Sequence, residues 1–289
     1  MLIYYDEDTE MLFFGKKKVK IGLALSGGGA RGYALVGALK AFEEHGIKFD
    51  AVAGTSVGSL VGAFYCAGYN YEEIYKISKD VKIKDIRLSK LIFVPSKTEG
   101  IENLIINHLG DINIEDLKIP FTAVVTDIKT AQEVHIDKGN LAKAVAGSCA
   151  VPGVFQPVEF ENYLLSDGGL TNNLPSNVLK LKDCDYVVGI DINPERTYGT
   201  ESNKVVDVLS ASIRILMKNN VVKGYLYSDV LIKADTKRFQ STKKEGYEEM
   251  IEEGYKATLE NIDKIKELFK KKKISKRKYK KFVKESSRF

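Results

Sequence analysis

Gly54-Thr55-Ser56-Val57-Gly58 sets one serine between two glycines, the spacing of a nucleophile held on a sharp turn. A serine hydroxyl attacks poorly until a neighbouring base takes its proton, and the usual base is histidine. The chain has three histidines. His45 falls in the last turn before Gly46, where a helix cap is expected, His108 at the end of a predicted helix, and His135 in a predicted strand. None sits in a loop shaped to present a base. A serine nucleophile here therefore asks for a carboxylate. Free aspartate, with a pKa of about 3.9, is too acidic for the task at neutral pH. Partial burial would raise it, and a hydrogen bond would orient it.

Two further stretches carry chemistry. "SGGGARG" (26–32) lies between an apolar run and a helical pattern. Consecutive glycines let the backbone approach a ligand, and their N–H groups at a helix start favour an anion, either a phosphate or the oxyanion of a tetrahedral intermediate. Arg31 adds a positive charge beside them. The plain alternative is a tight turn, but three glycines in a row exceed what a turn needs. Gly27, Gly29 and Gly32 also satisfy G-x-G-x-x-G, which keeps a nucleotide-dependent oxidoreductase in view. Against it, Asp50 lies at the start of the second predicted strand, whereas a ribose-binding carboxylate belongs at the far end, where Ser56 stands. In "LLSDGGLTNNLP" (164–175), Asp-Gly-Gly taken alone reads as a hairpin turn.

The elements that must position these groups follow from the patterning. "VKIGLAL" (19–25) predicts a buried strand, and "YALVGALKAFEEHG" a helix with Leu35, Leu39 and Phe42 on one face. "FDAVAG" predicts the next strand and "VGSLVGAFYCAG" the next helix. Strand, helix, strand, helix within about fifty residues is a βαβ unit with parallel strands, which brings both loops to one sheet edge. Further strands are expected over 119–128, 132–136, 184–192 and 229–235, and helices over 70–80, 99–108, 141–147, 173–181, 204–219 and 245–270. From Ala51 to Tyr71 there is no charge over 21 positions, long enough to cross a bilayer. Its glycines, serines, threonine and asparagine favour a strand plus a buried helix instead.

At this point "GGGARG", "GTSVG" and "DGG", in that order, resemble the patatin-like phospholipases, supported by "SCAVPGVFQPV" (148–158) and "NNLP". The resemblance covers roughly residues 19–240. It implies a three-layer α/β/α fold with a mainly parallel central sheet, and cleavage of fatty-acyl esters of lipids by a Ser–Asp dyad without histidine. Carried over by residue, Ser56 is the nucleophile and Asp167 its base. Gly54 and Gly58 flank the elbow, and Gly27, Gly28, Gly29 and Arg31 supply the oxyanion hole and its setting. No cofactor or metal is implied.

Composition bounds the rest. Cys66, Cys149 and Cys184 form no C-x-x-C pair, which suits reduced thiols in the cytoplasm. Residues 1–18 begin acidic and end basic, unlike a signal peptide, and are read as an N-terminal extension to a 19–240 catalytic domain. Residues 241–289 are read as a C-terminal helix and basic tail. Residues 261–289 hold 11 Lys and 2 Arg against 1 Asp and 2 Glu, a net +10 in a chain of +5, so the remaining 260 residues stand at −5. Ile274, Tyr279, Phe282 and Val283 interleave with the lysines, a pattern suited to peripheral contact with an anionic membrane, beside the plain reading of a solvated charge run. With an acidic body there is no wider basic face for nucleic acid. A non-catalytic lipid-binding protein is the other class the tail leaves open.

Overall fold

A computed structural model describes residues 19–80, 96–193, 201–239 and 245–271. The N-terminal extension and the apolar groups of the tail at Ile274, Tyr279, Phe282 and Val283 lie outside the described residues.

Eight strands form one sheet: β1 (Ile21–Leu25), β2 (Ala51–Thr55), β3 (Phe121–Asp127), β4 (Gln132–Ile136), β5 (Val158–Phe160), β6 (Tyr163–Asp167), β7 (Tyr186–Asp191) and β8 (Val230–Lys233). The helices are α1 (Tyr33–Glu44), α2 (Val57–Ala67), α3 (Tyr71–Asp80), α4 (Glu99–Leu109), α5 (Leu141–Ser148), α6 (Ser176–Leu181), α7 (Val205–Asn219), α8 (Val222–Leu226) and α9 (Tyr247–Leu259). β3, β2, β1, β7 and β8 run parallel in that order, while β4, β5 and β6 add antiparallel pairing at the β3 side.

β1, fully buried along its length, is a central strand covered on both faces, which is why its sequence is apolar without alternation. Ile21, Leu23 and Leu25 point into a core shared with α1, α2, α4, α5, α9 and the helical residues 262–271. Ala24 points to the other face, into a thinner core with Val178 and Leu179 of α6 and with Val221. The result is three layers of unequal thickness, as the patatin-like resemblance implies.

The uncharged run from Ala51 to Tyr71 resolves into β2 and the buried helix α2, which ends on Gly68 at φ 96°. Among the described residues no helix is long and apolar enough to cross a membrane. Two expectations shift. The helix expected over 245–270 breaks after α9: Thr258 Oγ1 donates to the Gly254 carbonyl and Asn261 Nδ2 to that of Ala257, side-chain bonds that compete with the helical ladder. The helix expected from 173 begins only at Ser176, because Asn172 and Asn173 are committed to the loop before it.

Candidate active site

The site is built on β3. Along one edge β3 pairs with β4 from Ala123 to Asp127. Along the other it pairs first with β2, as far as Val124 opposite Thr55, and then with β6, starting at Val125 opposite Asp167. β2 runs parallel to β3 and β6 antiparallel, so the two strands meet head to head with their C-terminal ends together. Ser56 follows the last residue of β2, and Asp167 is the last residue of β6. Two residues 111 positions apart are thereby brought to one point by backbone pairing alone.

Ser56 has φ 52° and ψ −127°, a left-handed conformation in a non-glycine residue. Such strain costs on the order of 1–3 kcal/mol and persists only where the surroundings hold it. They do so here: the Ser56 N–H donates to Ser148 Oγ at 2.9 Å, and Ser148 in turn donates to the Val124 carbonyl at 2.6 Å. The Ser56 carbonyl caps α2 by accepting from Ser59 and Leu60. Gly54 and Gly58 are glycines for want of room, since a Cβ would lie 2.3 Å from the Gly58 carbonyl oxygen in the first case and 2.3 Å from that of Leu25 in the second.

Asp167 is fully buried. Its N–H donates to the Ala150 carbonyl and its Oδ1 accepts the Gly169 N–H at 2.8 Å, while Oδ2 receives no hydrogen bond. Burial pushes the carboxyl up to about 6, against the lowering influence of the Ser56 hydroxyl and the Gly169 N–H. Ser56 thus lies close enough to act on the carboxylate, without a hydrogen bond of standard geometry; such contacts commonly tighten only with substrate in place. The Asp-Gly-Gly stretch is not the hairpin turn it suggests by itself. That turn is at 161–162, with Glu161 at φ 51°, and Gly168 instead rests on the Val124 carbonyl, where a Cβ would come within 2.1 Å.

The glycine loop abuts the same point: a Cβ on Gly27 would lie 3.1 Å from that of Ser56. Its three glycines are not equivalent. The Gly27 N–H is spent on the Asn173 carbonyl at 3.2 Å, whereas those of Gly28 and Gly29 have no acceptor among the described residues. Arg31 is buried and turned away from the loop. Its Nε donates to the Phe239 carbonyl and its Nη1 to Asn193 Oδ1, while Asn193 Nδ2 holds the Gly27 carbonyl. Arg31 therefore shapes the loop through Asn193. Asp50 accepts from the Ile21 N–H at the opposite end of the sheet, far from any ligand in the glycine loop, which removes the ribose partner the oxidoreductase alternative needs.

Ser148, Cys149, Asn173 and Asn193 were not singled out by the sequence. The Cys149 thiol, raised by burial and by the Asp167 charge, stays protonated beside Ser59. Asn173 Oδ1 is buried next to Gly27 and Gly169 and accepts nothing. The "SC" and "NN" of the two supporting segments were the available signal. The histidines are engaged elsewhere: His45 with the Ala41 carbonyl, His108 edge-on to Phe64, and His135 with Glu133 at 2.7 Å. Burial works against the Glu133 charge, but bonds from His135, Asn172 and Lys223 outweigh it and lower that carboxyl to about 2.

A family model, patatin-like phospholipase, matches residues 23–180, a span that holds the glycine loop, Ser56 and Asp167. The chain belongs to the patatin-like phospholipase family. Similar patatin-like sequences include an uncharacterized NTE family protein of Mycobacterium tuberculosis, 32% identical over 185 residues, covering 62% of this chain and 51% of that protein. The neuropathy target esterase of Drosophila melanogaster is 35% identical over 61% of this chain and 13% of its own length. The lysophospholipase NTE1 of Candida albicans is 32% identical over 66% of this chain and 14% of its own. The chain thus spans about half the length of the mycobacterial relative. Among solved structures, VipD from Legionella pneumophila shares the fold, with a TM-score of 0.61 and 15% identity over 86% of this chain and 67% of that one.

Proposed function

We propose that this chain is a serine acyl hydrolase that cleaves fatty-acyl esters of lipids through Ser56 and Asp167. The observation that carries the proposal is the head-to-head junction of β2 and β6, which sets a strained serine beside a buried carboxylate that burial has made basic enough to work near neutral pH. Asp167 accepts the proton as Ser56 Oγ bonds to the ester carbonyl carbon. The N–H groups of Gly28 and Gly29 stabilise the oxyanion, the alcohol leaves with the proton, and an acyl-enzyme remains. Water then attacks the acyl-enzyme with Asp167 again as base, releasing the fatty acid and restoring the serine. Gly27, Asn193 and Arg31 keep the loop in shape for this.

Ester and lysophospholipid hydrolysis, named for the fly and yeast relatives, supports the substrate class. The proposal extends to a cytoplasmic protein that works at a membrane surface, with the basic tail adding attraction to anionic lipid.

The direct test is Ser56→Ala on a soluble short-chain nitrophenyl ester. Turnover should fall by a factor on the order of 10⁴ while circular dichroism stays unchanged. Wild-type turnover by the folded variant would remove Ser56 from the chemistry.

A further inference from the structure

α7 wears its amphipathicity inside out. Val205, Val208, Leu209, Ile215 and Leu216 recur at helical spacing, and all are exposed, Leu209 at 58% and Leu216 at 54%. The stripe continues onto α8, where Leu226 is 80% exposed. Ala211, one turn from Val208 and Ile215 at the edge of the stripe, is buried at 4% exposure, and Ile213, Arg214 and Met217 on the side away from the stripe are partly buried. A contiguous apolar face of this kind on a folded surface marks a contact site. Its place is informative. The far end of α7 is clamped onto the turn that carries Asp167: Asn220 Nδ2 donates to the carbonyls of Gly169 and Leu170, and the Met217 side chain packs against Gly169.

Charge decides between occupants. Lys204, Lys218 and Lys223 border the stripe, with Asp207 as the one acid between 204 and 227, and it is engaged by Ser202 Oγ. Lys223 also reaches Glu133 at 3.2 Å. A second copy seated on this face about a two-fold axis would bring the same cationic rim against itself. A bilayer with anionic headgroups satisfies both features: the stripe enters the acyl boundary and the cations meet phosphates.

We propose that the exposed face of α7 and α8 is the membrane-docking surface of the protein, which seats the Asp167 turn against an anionic lipid bilayer. The proposal rests on the lipid-hydrolase reading of the same site, and it assigns to the folded body a contact distinct from the tail.

The test uses full-length protein carrying Ser56→Ala, so that vesicles stay intact, with and without the pair Leu209→Glu and Leu216→Glu. Partitioning onto phosphatidylcholine–phosphatidylglycerol vesicles should fall about ten-fold or more with the glutamates, because two apolar anchors are lost and two repulsive charges gained. In the Ser56 background, soluble-ester turnover of the glutamate pair should match wild type, which shows that the fold survives, while turnover of vesicle phospholipid falls with the partitioning. Unchanged partitioning overturns the proposal. So does light scattering that shows the glutamates dispersing an oligomer with vesicle binding intact, which assigns the face to a second copy. Absence of soluble-ester turnover in the wild type would instead count against the hydrolase reading, and the vesicle measurement stands apart from it.

Discussion

At the junction of β2 and β6 the protein seals polar groups inside; along α7 it turns apolar ones outward. Ser56, Asp167, Arg31, Asn172 and Asn173 are all buried, whereas Val205, Leu209 and Leu216 are each more than half exposed. Both reverse the ordinary partition of side chains, and both cost stability. A buried polar atom without a partner, such as Asp167 Oδ2 or Arg31 Nη2, costs about 1–3 kcal/mol. The two regions differ in what holds them. Strands β2, β3 and β6, the Ser148 hydroxyl and the Ala150 carbonyl all fix the buried groups. Among the described residues no protein group covers the exposed stripe. On the proposed reading, chemistry and delivery are built separately, the first by over-determination inside and the second by leaving a face unfinished.

The strongest way to break that comparison is Asp167→Asn. The shape is kept and the proposed base is lost, so soluble-ester turnover should fall by a factor on the order of 10³–10⁴, and the double variant with Ser56→Ala should be no lower if the two act as a unit. Stability should move the other way. Asp167 has its folded pKa raised to about 6 from an unfolded value of about 3.9. The folded state therefore holds the proton more tightly, and stability falls as pH rises through the window between those values. Asp167→Asn escapes this, so its unfolding free energy relative to wild type should be higher by about 2–3 kcal/mol at pH 8 than at pH 4. Denaturant melts at the two pH values check it. An inactive variant with no such gain at pH 8 would mean that the carboxylate carries no buried charge.

The same ionisation sharpens the comparison through catalysis. In the proposed mechanism Asp167 must be deprotonated, so kcat/KM for the soluble ester should rise about ten-fold per pH unit up to about 6 and level off above it. Vesicle partitioning by α7, which depends on lysines and leucines, should stay flat over that range. A parallel fall of both below pH 6 would tie the two regions together.

How much of this was legible varies by element. The elbow was readable because Gly54 and Gly58 stand within two residues of the serine, although only Gly54 is required by backbone of the same βα unit and Gly58 by the Leu25 carbonyl of the neighbouring strand. The parallel order of β1 and β2 was readable because strand and helix alternate twice within about fifty residues. The convergence of Ser56 with Asp167 was not readable from the residues themselves. It depends on β3 sharing one edge between two strands, and β6 is five residues long and ends in a sequence that reads as a hairpin turn. The family resemblance supplied that pairing; the register explains it. The link from Arg31 through Asn193 to Gly27 spans 162 residues and leaves no local trace. The outward face of α7 was also hidden, because spacing reveals a stripe but not the side on which it falls.

The smallest expected effect belongs to the histidines, and it decides the assignment of the base. An acid limb near pH 6 is the mark usually read as a histidine. A pH profile alone therefore does not separate Asp167 from His45, His108 or His135. Their surroundings do: His45 caps its own helix, His108 lies against Phe64, and His135 is bound to Glu133. Replacing all three by glutamine keeps much of this hydrogen bonding and should cost about 1 kcal/mol of stability, mostly at the His135–Glu133 contact. Turnover of the soluble ester should stay within about three-fold of wild type, far less than the loss of a general base causes. The acid limb should persist at about pH 6, because Asp167 still produces it. If the folded triple variant has lost its limb or its turnover, a histidine is the base, and the buried carboxylate at the strand junction serves structure alone.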